Sequence, residues 1–263
     1  MKILSVHSFA VHGTASLKAM LSILGTRVLP VPSLFLTGLT NIPGHQKTEV
    51  AFETLLRGSL EIAAAQQEEL ILYIGYLGAT QQVEVLQKAI EDFRPLFKHI
   101  IVDPVSGDHG RAYVPQEIVQ LWPELLSIAD WAFPNFTELK LHAGMDINAE
   151  IPPDEAIEAF KLRFPQLSFI ATSLPSKHEQ IELGLWDQGG WQVFSHPQMP
   201  QQYGGTGDVF ASYFTLAHFF WGKSPYASME LAALQTLRCL EYTLNQGSHF
   251  LEIICPDNRE SHA

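Results

Sequence analysis

The feature that most narrows the fold is a series of short, nearly continuous apolar segments, each closing on a polar or turn-forming residue. They are Ile3, Leu4 and Val6 before His7-Ser8, Leu70 to Ile74 before Gly75-Tyr76, Ile100 to Val102 before Asp103-Pro104, and Ser168 to Thr172 before Ser173. Short apolar runs without alternation read as strands buried on both faces, which is the signature of parallel sheets covered by helices. Between them lie helical stretches. Gly13-Thr14 introduces one with Met20, Ile23 and Leu24 at helical spacing and Gly25 as its cap, and others run from about Thr48 to Gln67 and from Thr80 to Phe93. Val28 to Leu34 is a further strand, part of which Pro30 and Pro32 demote to an edge or an irregular approach, and Phe35 to Gly44 reads as a loop that could close over something. Trp131 to Phe133 is a short strand, and Ile181 to Trp186 with Trp191 to His196 forms a hairpin around Gly189-Gly190. Helices from Val209 to Trp221 and from Pro225 to Asn245 follow, and Leu251 to Cys255 is expected to finish the sheet. The expectation is an α/β fold: a doubly wound, mostly parallel sheet with helices on both faces and an antiparallel hairpin toward one edge. No linker or repeat interrupts it, so residues 1–263 read as a single domain.

Charge and composition exclude several function classes. A formal charge of −12, with sixteen scattered Lys and Arg residues, does not make a nucleic-acid surface. It leaves a small phosphate ligand open, because backbone donors and a divalent cation can reverse the field locally. No apolar run reaches the roughly 18 residues of a membrane span. His7, Ser8 and His12 interrupt the N-terminal apolar stretch too early for a signal-peptide core, and two cysteines give no framework. A cytoplasmic protein is the expectation.

On such a sheet the strand ends deliver Ser8, Tyr76, Asp103, Asn135, Glu138, Thr172 and Asp208 to one rim, the crevice where doubly wound folds bind ligands. The stretch Tyr203-Gly204-Gly205-Thr206-Gly207-Asp208 is the most suggestive. Its glycines permit a tight turn, and the helix start behind them is an anion site. Asp208 either is an ordinary first-turn helix acid or takes a proton from an attacking hydroxyl, because a carboxylate otherwise repels phosphate. Asp103 and Glu138 are candidates to hold magnesium, directly or through water. Asn135 with Glu138 equally fits a capping pair, and Asp103 before proline equally fits a strand end. Arg111 either reaches a phosphate or is solvated. The histidines, His7, His12, His45, His109 and His142 among them, lack a paired ligand spacing, so zinc is not expected.

At these residues the chain resembles the pyridoxal (vitamin B6) kinases of the ribokinase-like superfamily, over almost its whole length. Gly205-Thr206-Gly207-Asp208 looks like the superfamily's anion hole with its catalytic aspartate. Asp103-Pro104-Val105 with Gly107-Asp108 looks like the strand-end motif near metal and phosphates, and Asn135-Phe136-Thr137-Glu138 fits the Asn-x-x-Glu motif. Gly75-Tyr76-Leu77-Gly78 matches the segment whose tyrosine lines the pyridoxal pocket. His7-Ser8 with Val11-His12-Gly13 resembles the stretch whose serine contacts the pyridine ring, Thr40 falls where a substrate-contacting threonine is expected, and Thr172-Ser173 resembles the nucleotide-side strand end.

The resemblance implies ATP-dependent phosphorylation of the 5′-hydroxymethyl group of pyridoxal, with pyridoxine and pyridoxamine as further acceptors. It assigns catalysis to Asp208, Gly205, Thr206 and Gly207, acceptor binding to Ser8, Thr40 and Tyr76, and nucleotide binding to Asp103, Asn135, Glu138, Thr172 and Ser173. It places Mg²⁺ at Asp103 and Glu138, and it implies a monovalent cation such as K⁺ and a homodimer. Three departures bear on the acceptor. Gly38-Leu39-Thr40 replaces a motif with histidine before the threonine, His7 stands where the family has glutamine, and Ser106 stands where a larger apolar residue is common. A hydroxymethylpyrimidine or sugar kinase on the same scaffold, and a catalytically quiet vitamer-binding protein, are the alternatives.

Overall fold

A computed structural model describes residues 1–176 and 180–255. The chain begins in mid-sheet with β1 (Lys2–His12), followed by α1 (Leu17–Leu24), β2 (Val28–Gly38) and the two-residue β3 (Lys47–Thr48). Next come α2 (Phe52–Ala65), β4 (Leu70–Ile74), α3 (Gln81–Asp92), β5 (Phe97–Val102) and a small hairpin of β6 (Gly107–Asp108) and β7 (Arg111–Ala112). Short helices α4 (Gln116–Val119) and α5 (Trp122–Leu126) lead to β8 (Trp131–Ala132), α6 (Phe136–Ala143) and α7 (Pro153–Arg163). Strands β9 (Ser168–Pro175), β10 (Gln180–Asp187) and β11 (Gly190–Pro197) precede α8 (Thr206–Thr215), a π-turn at Leu216–Phe220, and α9 (Pro225–Gln246).

The nine-stranded sheet runs in the order β3-β2-β1-β4-β5-β8-β9-β10-β11. From β2 to β9 every pairing is parallel, and β3, β10 and β11 join antiparallel at the edges. The chain winds one way from β1 to β2 and the other way from β4 onward, so the topological switch point, where such sheets open a ligand crevice, lies between β1 and β4.

Strand alternation sorts the core onto two faces. Leu4, Val6, Leu72, Ile74, Ile100 and Val102 pack against the layer containing α2, α3 and α7. Ile3, Ile71, Tyr73 and Ile101 face Met20 and Ile23 of α1, Val209 and Phe214 of α8, and Met229 of α9. Residues two apart share a face, so His7, two steps beyond Ser5, and Asp103, two beyond Ile101, lie on the side of the sheet that α8 covers. The alternation thereby decides which polar side chains can meet.

Three expectations change in detail. β1 does not stop at His7-Ser8, because the far half of β2 keeps pairing with it from Phe9 opposite Phe35 to His12 opposite Gly38. Part of the expected loop after Leu34 is therefore strand. Pro30 and Pro32 are tolerated because β3 pairs only with Phe35 and Leu36, leaving their outer side without a ladder. The last strand is a correction: Leu251 to Cys255 does not join the sheet. Its backbone is satisfied by helices instead, with Glu252 N–H donating to Thr243 Oγ1 (2.9 Å), Ile254 N–H to Cys239 Sγ (3.4 Å) and the Tyr213 hydroxyl donating to Ile254 O. With the N–H groups of Glu252 and Ile254 turned to side chains of α9, that side of the segment cannot donate to a strand edge.

Candidate active site

The turn Gly204-Gly205 delivers the chain to α8 with Gly205 as N-cap in the left-handed region, φ +99°. A Cβ on Gly205 would stand 2.1 Å from the carbonyl oxygen of Thr14, so glycine is needed for both the dihedral and the close approach. The first intrahelical donor is Val209 N–H, bonded to Gly205 O at 3.0 Å. The N–H groups of Thr206, Gly207 and Asp208 precede it and have no partner within the helix, which makes this end an anion cradle. Asp208 sits in that first turn.

Asp208 Oδ1 lies 2.9 Å from His7 Nε2, and its side chain is 13% exposed. The contact is bent, and by hydrogen-bond geometry His7 Nε2 has no well-directed partner. His7 Nδ1 accepts the backbone N–H of Ser8 (3.0 Å) and of Tyr76 (3.2 Å). A nitrogen that accepts two N–H bonds carries no proton, so the ring proton is on Nε2, facing Asp208. His7, Asp103 and Asp208 place one ligand atom each within 4.8 Å of one another, close enough to hold a metal ion. The tautomer opposes that role for His7, since a metal-bound Nε2 would turn an Nδ1–H against two backbone donors. Nothing in the spacing of the histidines announces this cluster, because its members come from β1, the end of β5 and α8.

Asp103 follows β5, where its N–H bonds Ile74 O at 2.8 Å and its Oδ2 accepts the Tyr73 hydroxyl at 3.0 Å. Burial, and then the negative charge of Asp208, push the Asp103 carboxyl up to about 7. Burial and Asp103 likewise hold Tyr73 well above the usual phenol range. Tyr73 also stacks on His7, with ring centroids 6.3 Å apart and planes 15° apart. The sequence singled out His7 only as a departure on the acceptor side and passed over Tyr73; the available signal was a polar ring on an otherwise apolar buried strand, where each polar atom needs a partner.

Glu138 and Asn135 form the expected capping box, with Glu138 N–H donating to Asn135 Oδ1 and Asn135 N–H to Glu138 Oε2, each at 3.0 Å. Glu138 Oε1 also accepts the N–H of Ser106 at 2.9 Å, tying the loop after Asp103 to α6. The carboxyl is buried, and burial followed by the charge of Asp103 raises its affinity for a proton. Asn135 Nδ2 donates to Gly107 O (2.8 Å), and Asn135 bridges to Thr172. Arg111, on β7, is exposed.

Thr172 and Ser173 together oppose a single position of β10, between the pairs Ala171–Gly184 and Leu174–Glu182. Ser173 takes φ +57° there. This is a β-bulge, a device that re-aims side chains at the rim of a sheet. Of the acceptor-side residues, Ser8 is buried with its hydroxyl 2.9 Å from that of Ser16, and Tyr76 is buried with its phenol 3.4 Å from Lys47 Nζ. Thr40 is exposed. Its neighbour Leu39 is what lies over the turn, since a Cβ on Gly13 would meet Leu39 Cγ at 2.5 Å and one on Gly204 would meet Leu39 Cδ1 at 3.2 Å.

Residues 36–253 match the family described as Phosphomethylpyrimidine kinase. The chain belongs to that family. The pyridoxal kinase of Dictyostelium discoideum is 25% identical over 279 residues, covering 98% of this chain and 90% of its own. The pyridoxine/pyridoxal/pyridoxamine kinase of Bordetella avium is 28% identical over 225 residues, covering 80% of this chain and 74% of its own. A Bacteroides thetaiotaomicron protein crystallised with pyridoxal, 28% identical, matches with a TM-score of 0.82 over 92% of this chain and 88% of its own. The pyridoxal kinase of Lactobacillus plantarum, 22% identical, shares the fold at a TM-score of 0.81 over 96% of this chain and 92% of its own. In the kinase described here, Asp103 follows β5, the capping box starts α6, and the glycine turn with Asp208 starts α8.

Proposed function

We propose that the protein transfers the γ-phosphoryl group of ATP to the 5′-hydroxymethyl oxygen of pyridoxal, with pyridoxine and pyridoxamine as further acceptors. The observation that carries this is Asp208: a carboxylate in the first turn of α8, beside three N–H groups with no partner within the helix and within reach of a second carboxylate. A lone anion at an anion cradle opposes phosphate binding unless it acts on the acceptor, so Asp208 is the group that takes the hydroxyl proton as the oxygen attacks phosphorus. The Thr206 to Asp208 amides receive the charge that develops on the transferred phosphoryl oxygens. Ser8, Thr40 and Tyr76 are proposed on the acceptor side, and Thr172 and Ser173, re-aimed by the bulge, on the nucleotide side.

The donor set suits a hard divalent ion. Burial, and after it the negative charge of Asp208, raise the Asp103 carboxyl to about 7, and a cation beside the two carboxylates relieves the repulsive part. Asp103, with Glu138 through water, would hold Mg²⁺, which when bound neutralises phosphate charge. Family resemblance adds a monovalent cation near the nucleotide, a homodimer and a cytoplasmic setting. Titration with K⁺ and gel filtration test the first two.

The test is an acceptor panel with ATP and magnesium, scored by ADP release, on wild type and Asp208→Asn. The expected result is turnover with B6 vitamers and a fall in kcat of about 10²–10⁴ in the variant, with ATP binding little changed. Near wild-type turnover by Asp208→Asn refutes the base. A second reading, phosphorylation of a hydroxymethylpyrimidine, is favoured by Leu39, whose apolar side chain covers Gly13 and Gly204 where the resemblance expects histidine. Turnover confined to the pyrimidine acceptor decides for it.

A further inference from the structure

Beside Asp208, at 2.9 Å, stands a buried ring on β1. We infer that His7 is the positioning residue of Asp208, its Nε2–H holding the carboxylate in the orientation needed to meet the acceptor hydroxyl. The inference rests on the reading of Asp208 as the general base.

Four observations support it. The two backbone donors at Nδ1, one from β1 and one from the turn after β4, fix both the tautomer and the plane of the ring, so the ring proton lies on the Asp208 side. The ring is 2% exposed, and among the described residues Nε2 makes no well-directed hydrogen bond; its one close polar neighbour is Asp208 Oδ1 at 2.9 Å, met at a bent angle, so no structural partner competes for that proton. The fold makes room for the ring at a cost in sequence freedom: a Cβ on Gly75 would fall 2.2 Å from His7 Cδ2 and 2.4 Å from Nε2. Finally, His7 and Tyr73 form a stacked pair, each beside one carboxylate: the phenol donates to Asp103, and Nε2 lies 2.9 Å from Asp208 Oδ1 at a bent angle. Two carboxylates that repel each other are thereby held in separate, defined orientations.

A satisfied core histidine would look similar at Nδ1, so the experiment separates the two ends of the ring. His7→Asn places an amide oxygen near the Nδ1 position, where it accepts the backbone N–H groups, but leaves nothing to reach Asp208. His7→Gln places a donor near the Nε2 position and forfeits part of the Nδ1 anchoring. The expected result is crossed: His7→Asn keeps its melting temperature and loses about tenfold in kcat with KM for ATP unchanged, whereas His7→Gln melts lower and keeps kcat within about threefold. The modest factor reflects a bent contact to a charged group. In an Asp208→Asn background the His7→Asn loss should disappear, since it acts only through Asp208.

The inference is overturned if activity follows melting temperature in both variants. It is also overturned if His7→Asn retains full kcat, or loses the same factor with and without Asp208. If His7→Asn does not fold, the His7→Gln result and its cycle with Asp208→Asn decide: kcat lost tenfold in a folded His7→Gln protein sinks the inference. Asp208→Asn measured alone distinguishes the failures, because near wild-type turnover there removes the base itself.

Discussion

Replacing Gly205 with alanine tests the architecture of the anion cradle directly. The added Cβ would stand 2.1 Å from Thr14 O, whereas real Cβ contacts essentially never fall below 3.0 Å, so about 0.9 Å of separation must be found between two backbones. Neither can yield by a side-chain rotation. The left-handed dihedral, φ +99°, adds about 1–2 kcal/mol for any residue with a Cβ. At roughly 2–4 °C per kcal/mol for a protein of this size, the dihedral alone lowers the melting temperature by about 2–8 °C. The displacement of the helix start is of the order of 1 Å, a misplacement that costs about 10²-fold in kcat. Gly207 is the internal control: a Cβ there meets no atom within 4 Å and its dihedral is not left-handed, so Gly207→Ala keeps the wild-type melting temperature or raises it. Thermal melting and ADP release read both effects. A Gly205→Ala protein that keeps kcat within threefold, or a Gly207→Ala protein that melts lower than Gly205→Ala, refutes the requirement for glycine at 205.

Glu138→Ala leaves the buried N–H groups of Ser106 and Asn135 unpaired, at about 1–3 kcal/mol each, so it should melt well below Glu138→Gln, which still accepts one of them; equal melting temperatures refute the anchoring role. Stability in acid should depend on His142, which burial pushes down to about 4. Its unfolded counterpart titrates near 6.5, so its contribution is complete above about 6.5 and is lost as pH falls toward 4, on the order of 3 kcal/mol in all. Asp103, raised to about 7, has the opposite slope, since its raised affinity for a proton costs stability as pH climbs from about 4 through 7. Denaturant unfolding at pH 7 and pH 5 should therefore show a smaller loss on acidification in His142→Gln than in wild type, the Asp103 contribution cancelling between the two proteins. An equal loss contradicts the assignment.

Much of the fold is legible in the chain because the strongest signals are local. Leu70 to Ile74 is apolar, bounded and short, and it is β4 residue for residue. The Asn135–Glu138 pair was readable as a cap because both partners lie in one turn. Where the outcome depends on a distant partner, the reading slips. β1 runs on past His7 because β2 keeps pairing with it, and Leu251 to Cys255, apolar enough for a strand, is claimed by Thr243 and Cys239. The same limit applies in the site. Asp208, Asp103 and Glu138 stand out as acids in otherwise apolar or glycine-rich settings. His7 and Tyr73 do not, because their significance comes from strand register, which puts them on the face that α8 covers.

The pairing of β1 with β2 contains one further consequence. His7 pairs with Pro32 and Phe9 with Phe35, so β2 carries one residue more than its neighbour across that interval. The extra residue lets Ser33 hold Tyr76 O (2.6 Å) while Leu34 stays in the core, and it sets how far β2 has advanced when it reaches Leu39. Loss of one residue there would draw Leu39 back by about 3.3 Å and reverse the facing of Phe35 to Gly38. Strand β2 thus works as a ruler for the roof over Gly13 and Gly204. A change in the length of β2 would move Leu39 and turn over the four residues before it together, whereas replacement of one residue leaves their register in place.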